Sequence, residues 1–177
     1  MPVILDAHAM ERSLNRMAHE IIERNPGHGS IGFIGIHTRG VPLAKRLSKL
    51  FNIFDAQRPP SLYGALDISF HRDDLASNIP IPKMTEVPFD LEGVKIILVD
   101  DVLFTGRTLR AALNATMDLG RPRGVELAVL VDRGHRQLPV RADYVGKNLP
   151  TAFEDKVSVH LLEVDGEDSV SMQRAGD

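Results

Sequence analysis

Hydrophobic positions change their period several times along the chain, and each change predicts an element. Met10, Leu14, Met17 and Ile21 recur every three or four places, the spacing of one buried helical face. Asp6 stands where it can cap that helix, and Pro26-Gly27 ends it near residue 25. The opposite face carries Arg12, Asn15, Arg16, His19 and Glu23. Ile31-Gly32-Phe33-Ile34-Gly35-Ile36 then runs apolar without alternation, the signature of a strand buried on both faces. A polar loop, His37-Thr38-Arg39-Gly40, leads into a helix over about 41–51, and residues 61–69 read as a further strand. Ile96-Ile97-Leu98-Val99, β-branched at three of four places, predicts a second buried strand and 109–119 an amphipathic helix. Residues 125–131 form a third apolar run, and 143–145 and 157–164 suggest shorter strands at the sheet margin.

Strand and helix alternate through the middle of the chain. The expected fold class is therefore α/β, an open, mostly parallel, doubly wound sheet forming one domain over residues 1–177. Ligands bind such sheets beyond the carboxyl ends of the strands. The loops after Ile36, Val99 and Val131 meet that condition, and all are rich in Thr, Arg, Asp or Gly. Residues 70–88 are polar and punctuated by proline, too long for a simple connection. They predict a flexible lid, or else a solvated hairpin.

Composition narrows the chemistry. The 177 residues are 43% hydrophobic and 25% charged, which suits a folded globular chain. No cysteine is present, which excludes disulfides and thiolate chemistry and suits the cytoplasm. No apolar run has the length of a membrane span, and no secretory signal pattern opens the chain. A net charge of −3 argues against indiscriminate nucleic-acid binding but leaves room for a local basic face.

The decisive stretch is Asp100-Asp101-Val102-Leu103-Phe104-Thr105-Gly106-Arg107-Thr108. Two carboxylates end a buried strand, and a Thr-Gly turn then opens a helix. Backbone N–H groups and hydroxyls of Thr105, Gly106, Arg107 and Thr108 suit a phosphate at the helix N-terminus. Asp100 and Asp101 suit the two hydroxyls of a ribose, or Mg²⁺ through water. A carboxylate pair after a strand also occurs in phosphoacceptor domains and metal-dependent hydrolases. Those, however, show a nucleophile-x-Asp spacing that this chain lacks, and they leave Thr105 to Thr108 unexplained.

The whole stretch resembles the phosphoribosyl diphosphate (PRPP) motif of type I phosphoribosyltransferases. On that resemblance Asp100, Asp101, Val102, Leu103, Phe104, Thr105, Gly106, Arg107 and Thr108 form the 5-phosphate and ribose site. Thr38, Arg39 and Gly40 take the pyrophosphate, the glycine admitting the backbone and the guanidinium forking onto oxygens. Thr38, Arg39, Asp100 and Asp101 are the expected catalytic residues, with Arg72 on the lid and Arg133 near the base. Purine-salvage relatives carry an Asp at the place of Phe104 to handle a base proton; an apolar ring there implies a pyrimidine.

The resemblance extends further. Segments 34–40, 66–68, 72–75, 100–108, 130–136 and 141–148 together resemble the bacterial bifunctional regulators of pyrimidine operons that are also uracil phosphoribosyltransferases. This covers the chain from Val3 to about Val170. It implies conversion of uracil and PRPP to UMP and diphosphate, with Mg²⁺ carried by PRPP rather than held directly by the protein. It further implies a homodimer or tetramer that responds to UMP or UTP and binds leader messenger RNA. Two departures stand out: Phe104 and His71 occupy places where Tyr is usual. By position, Asn15, Arg16, His19, Arg136, Arg141 and Lys147 are the RNA-binding candidates, Asn15 standing where relatives have Thr. The same residues suit a plain solvated face, which would leave a salvage enzyme without regulation. The histidines have no metal-ligand spacing; His37 and His135 lie near the ligand loops and are expected to serve as ordinary hydrogen-bonding groups.

Overall fold

A computed structural model describes residues 1–71, 73 and 83–176. Five parallel strands form the main sheet in the order β3-β2-β4-β5-β6. They are β2 (Ile31–Ile36), β3 (Leu62–Leu66), β4 (Lys95–Leu103), β5 (Gly124–Asp132) and β6 (Tyr144–Asn148). Alternation along β4 divides its side chains between two cores. Ile97 and Val99 join Met10, Leu14, Met17 and Ile21 of α1 (Ala7–Arg24) and Leu43, Leu47 and Phe51 of α2 (Gly40–Phe54). Ile96 and Leu98 join Leu109, Ala112 and Ala115 of α3 (Arg107–Leu119) on the other face. Helices on both faces make the sheet doubly wound, as its unbroken apolar strands predict. Each buried Val, Leu, Ile, Met or Phe among them contributes about 1.5–3 kcal/mol by leaving water.

The α1 prediction holds closely. Asp6 caps the helix through its carboxylate, which accepts from the Ala9 N–H at 2.8 Å. Two expectations need correction. The motif strand does not stop at Val99. Asp100 pairs with Val129, Val102 with Val131 and Leu103 with Asp132, so β4 carries the carboxylates inside its ladder. Residues 157–164 are not at the main sheet's margin. Strand β7 (Lys156–His160) pairs antiparallel with β8 (Ser169–Gln173), which also pairs with β1 (Val3–Leu5). This second sheet joins the two ends of the chain, a long-range pairing that local periodicity does not report. A single helical turn, α4 (Leu162–Asp165), links β7 to β8.

At the amino end of the main sheet a polar network fastens α1. Glu126 accepts from Tyr144 Oη at 2.6 Å and Asn25 Nδ2 at 3.2 Å, and pairs with Lys95 at 2.8 Å. Burial pushes the Glu126 carboxyl up, but these partners outweigh it and hold it below its ordinary range. Burial and the adjacent carboxylate push the Tyr144 phenol well above its own. Among the described residues, no helix is long and apolar enough to cross a membrane.

Candidate active site and nucleic-acid interface

The parallel strands end at one edge, and their outgoing loops brace each other there. Gly106 begins α3 at φ +94°, and a Cβ on it would stand 2.6 Å from Val140 Cγ2. Glycine is thus required both for the left-handed turn and for close approach of the loop after β5. That loop braces the loop over residues 104–108 from outside. Gln137 N–H donates to Thr105 O at 2.9 Å, and Arg136 Nη1 to Phe104 O at 2.8 Å. The N-cap residue of α3, Gly106, has no side chain to cap it; among the described residues only the Arg107 N–H meets a side chain, Thr105 Oγ1 at a long 3.5 Å, so the first turn keeps capacity for an anion. A cavity of about 160 Å³ opens in front of them, lined among others by Asp100, Val102, Leu103, Phe104, Thr105 and Thr108. Arg107 also lines it, but its guanidinium is held by Gln137 at 3.0 Å and Asp73 at 3.0 Å, and its backbone N–H makes a long, 3.5 Å hydrogen bond to Thr105 Oγ1.

Asp100 and Asp101 are neighbours in sequence but not a matched pair in space. Strand alternation turns them to opposite faces. Asp100 lines the cavity beside α3, whereas Asp101 is close enough to Arg39 to stabilise its charge. Each carboxylate accepts from the next backbone N–H, Asp101 N at 2.9 Å and Val102 N at 2.8 Å, which fixes its rotamer.

The Thr38–Gly40 loop sits at the start of α2, whose N-terminus likewise has no side-chain cap. Gly40 also has a packing role. A Cβ there would meet Val99 O at 2.3 Å, so the glycine permits a close approach to β4. Gly35 repeats the logic, its Cβ position lying 2.4 Å from Gly40 O. Two glycines therefore seat the loop tightly, Gly35 letting it lie over β2 and Gly40 letting it approach β4, which carries the carboxylates. Arg39 forks onto Asp165 through Nε at 3.1 Å and Nη2 at 2.7 Å. Thr38 Oγ1 accepts from Lys83 Nζ, and His37 Nε2 donates to Met84 O at 3.1 Å.

Of the lid, Arg72, Asp74 and Leu75 lie outside the described residues. Its base is described. Ala65 and Glu86 exchange backbone hydrogen bonds of 2.8 Å, and the Ser69–His71 turn rests on α3 through His71 and Asp118 at 2.8 Å.

Arg133 does not extend into open space. Its buried guanidinium donates to Thr151 Oγ1 at 3.3 Å and to the carbonyls of Ala152 at 2.9 Å and Phe153 at 3.1 Å. It also lies over the Phe104 ring at 4.0 Å. His135 packs edge-on against Phe104 and Phe153, and its Nε2 donates to Thr151 O at 2.7 Å. This aromatic cluster beside the phosphate cavity is a surface on which a planar base can stack. Phe153 was absent from the sequence candidates, since a single Phe in a polar tail carries no local signal. Among the described residues, no group of three or more His, Asp or Glu side chains forms a metal cage.

Residues 3–164 match the phosphoribosyl transferase domain family. Over 171 residues the chain is 57% identical to the bifunctional protein PyrR of Deinococcus deserti, covering 96% of this chain and 92% of the relative. The chain belongs to the PyrR family of phosphoribosyl transferase domains. The PyrR of Thermus aquaticus is 53% identical, with 96% of this chain and 93% of that protein covered. Among solved structures, a hypoxanthine phosphoribosyltransferase of Trypanosoma cruzi superposes with a TM-score of 0.73 at 18% identity, covering 98% and 97% of the two chains. One from Staphylococcus aureus gives 0.68 at 18% identity over 84% and 77%. These likenesses establish the type I phosphoribosyltransferase fold.

The second set of PyrR-family candidates divides in space. Arg16 Nη2 donates to Val145 O at 3.1 Å and Gly146 O at 2.6 Å, which brings α1 against β6 and beside Lys147. Arg24, absent from the sequence candidates, joins this face by donating to Asp143 O at 3.1 Å. Arg141 and Lys147 are exposed. His19 stacks on Phe54 at 4.2 Å, and Asn15 lines a groove with Glu11 and Lys49. Arg136 is spent within the protein: besides Phe104 O it pairs with Asp132 at 2.5 Å and donates to Val140 O at 3.1 Å. Its geometry is that of a clasp on the phosphate loop.

Proposed function

We propose that this protein transfers the phosphoribosyl group of PRPP to uracil, giving UMP and diphosphate, and that the nucleotide-loaded protein binds leader messenger RNA of pyrimidine-biosynthesis genes. The observation that carries the enzymatic half is the uncapped N-terminus of α3 facing the Asp100-lined cavity at the carboxyl edge of the sheet. The 5-phosphate of PRPP takes the N–H groups and hydroxyls of 105–108, the ribose hydroxyls lie across the end of β4 and take Asp100 from the α3 side and Asp101 from the Arg39 side, and the diphosphate takes Thr38, Arg39 and Gly40. The bond from C1′ to the diphosphate oxygen breaks, a bond from C1′ to N1 of uracil forms, and the N1 proton is released. Phe104 offers no acid or base to a purine N7, which favours a pyrimidine stacked in the Phe104–His135–Phe153 cluster. The oxygen donors of Asp100 and Asp101 suit a Mg²⁺ that keeps its waters and arrives on PRPP. Such an ion would neutralise charge on the departing diphosphate.

The name of the PyrR relatives, bifunctional protein, supports the regulatory half. Exposed Arg141 and Lys147 supply a basic face for an RNA backbone, flanked by Arg16 and Arg24, whose guanidiniums are partly committed to Glu20, Asp143 and backbone carbonyls, with UMP or UTP in the pocket as the signal. Cytoplasmic residence, one domain over 1–177 and a homodimer or a tetramer of two dimers complete this reading. A salvage enzyme without regulation is the second reading, favoured by the internal commitment of Arg136. Filter binding to the leader RNA of its own operon, with and without UMP over a salt series, separates them. Tight binding strengthened by UMP supports the regulator. Binding no better than to scrambled RNA, by protein that still makes UMP, leaves the salvage enzyme.

A further inference from the structure

The α4 turn lies far along the chain from every motif discussed above, yet it holds the guanidinium of Arg39. Arg39 uses one edge of its fork, Nε and Nη2, on the two oxygens of Asp165 at 3.1 and 2.7 Å. Its Nη1 has no partner among the described residues, so the other edge, Nη1 with the second Nη2 hydrogen, remains open. A guanidinium held on one edge and open on the other can fork onto a phosphate without first being ordered.

Asp165 is itself held rigidly. Its Oδ2 accepts from Leu161 N–H at 2.9 Å. The turn that bears it is bound to α2 by Arg46, which forks onto Glu163 at 2.8 and 2.5 Å and onto Asp168 at 2.9 and 2.8 Å. Asp168 also accepts from Leu162 N–H at 2.8 Å, closing the turn. These six hydrogen bonds at the chain's C-terminal end fix the turn that orients one side chain in the loop after β2. A lone surface ion pair needs no such scaffold.

We propose that Asp165 is a positioning residue for the phosphoribosyl transfer, aiming the open edge of Arg39 at the diphosphate of PRPP. This deepens the phosphoribosyltransferase reading and rests on it. Asp165 touches no substrate; it acts through Arg39. Ordering the guanidinium before binding lowers the entropy lost on capture of the diphosphate, so the benefit falls on PRPP and on diphosphate, not on the base.

The test is a double-mutant cycle on the full chain. Asp165→Asn should raise the KM for PRPP and the inhibition constant for diphosphate about tenfold, leaving kcat and the KM for uracil within about twofold. Made in an Arg39→Ala background and read as kcat/KM at low PRPP, the same substitution should change the rate less than about twofold. Asp165→Ser, smaller and also uncharged, repeats the measurement should Asp165→Asn fold poorly. An effect of Asp165→Asn that persists undiminished without Arg39 would overturn the proposal. So would a fall in the KM for PRPP, which would make Asp165 a competitor for the guanidinium. Failure of the underlying reading has a different signature: the wild-type protein would form no UMP from uracil and PRPP.

Discussion

Gly40→Ala tests whether the seating of the loop after β2 on β4 governs the reaction. The added Cβ would lie 2.3 Å from Val99 O, where real Cβ atoms stay beyond 3.0 Å, so the two backbones must separate by about 0.7 Å. Neither side can yield by rotating a side chain, because both contacting groups are main chain. Overpacking of this kind costs about 1–3 kcal/mol, partly offset by up to about 1 kcal/mol of helix propensity gained at the start of α2. A net cost of about 1–2 kcal/mol in a chain of this size should then lower the melting temperature by about 2–8 °C. The functional loss should be far larger. Separation moves Thr38 and Arg39 away from Asp100 and Asp101, and displacement approaching 1 Å between reacting groups costs on the order of 100-fold in rate. The assay is UMP formation from uracil and PRPP, read as kcat/KM below the variant's melting temperature, beside a thermal melt. A variant within about threefold of wild type, with an unshifted melt, would refute the seating argument.

Three further outcomes follow from named contacts. Asp101→Asn should raise the KM for PRPP by about tenfold, an amide being a poorer acceptor for ribose hydroxyls, and unchanged kinetics would remove Asp101 from the ribose site. Arg141→Gln with Lys147→Gln should weaken leader-RNA binding, make the salt dependence shallower by about 1–2 in log–log slope, and spare UMP synthesis. Loss of both activities would instead mean misfolding. Glu126 has a folded-state pKa below its ordinary value of 4.5, so the stability it contributes is full above that value and is lost as pH falls through the folded pKa. Urea melts in acid should show that loss, and Glu126→Gln should flatten the acid limb; parallel wild-type and variant curves would remove Glu126 as the cause.

Much of this molecule was legible in its local pattern. The buried strands 31–36 and 96–99, the α1 stripe with its Asp6 cap, and the phosphate loop before α3 are short-range features. Their causes, periodicity, capping and a glycine turn, lie within a few residues of each other. They suffice for an α/β sheet with an uncapped helix N-terminus and a Thr-Gly turn at its carboxyl edge. Tertiary structure decided what depends on partners remote in sequence. It carried β4 through Asp100 and Asp101, because the ladder with β5 continues to Asp132. It turned Gly40 toward Val99, and it spent Arg136 and Arg133 on carbonyls of neighbouring loops. It also brought Asp165 to Arg39 across 126 residues of chain. A charged or aromatic side chain has the same character in sequence whether it meets solvent, a ligand or a distant carbonyl. Only packing selects among those partners, since an arginine satisfied by the fold has fewer donors left for anything else.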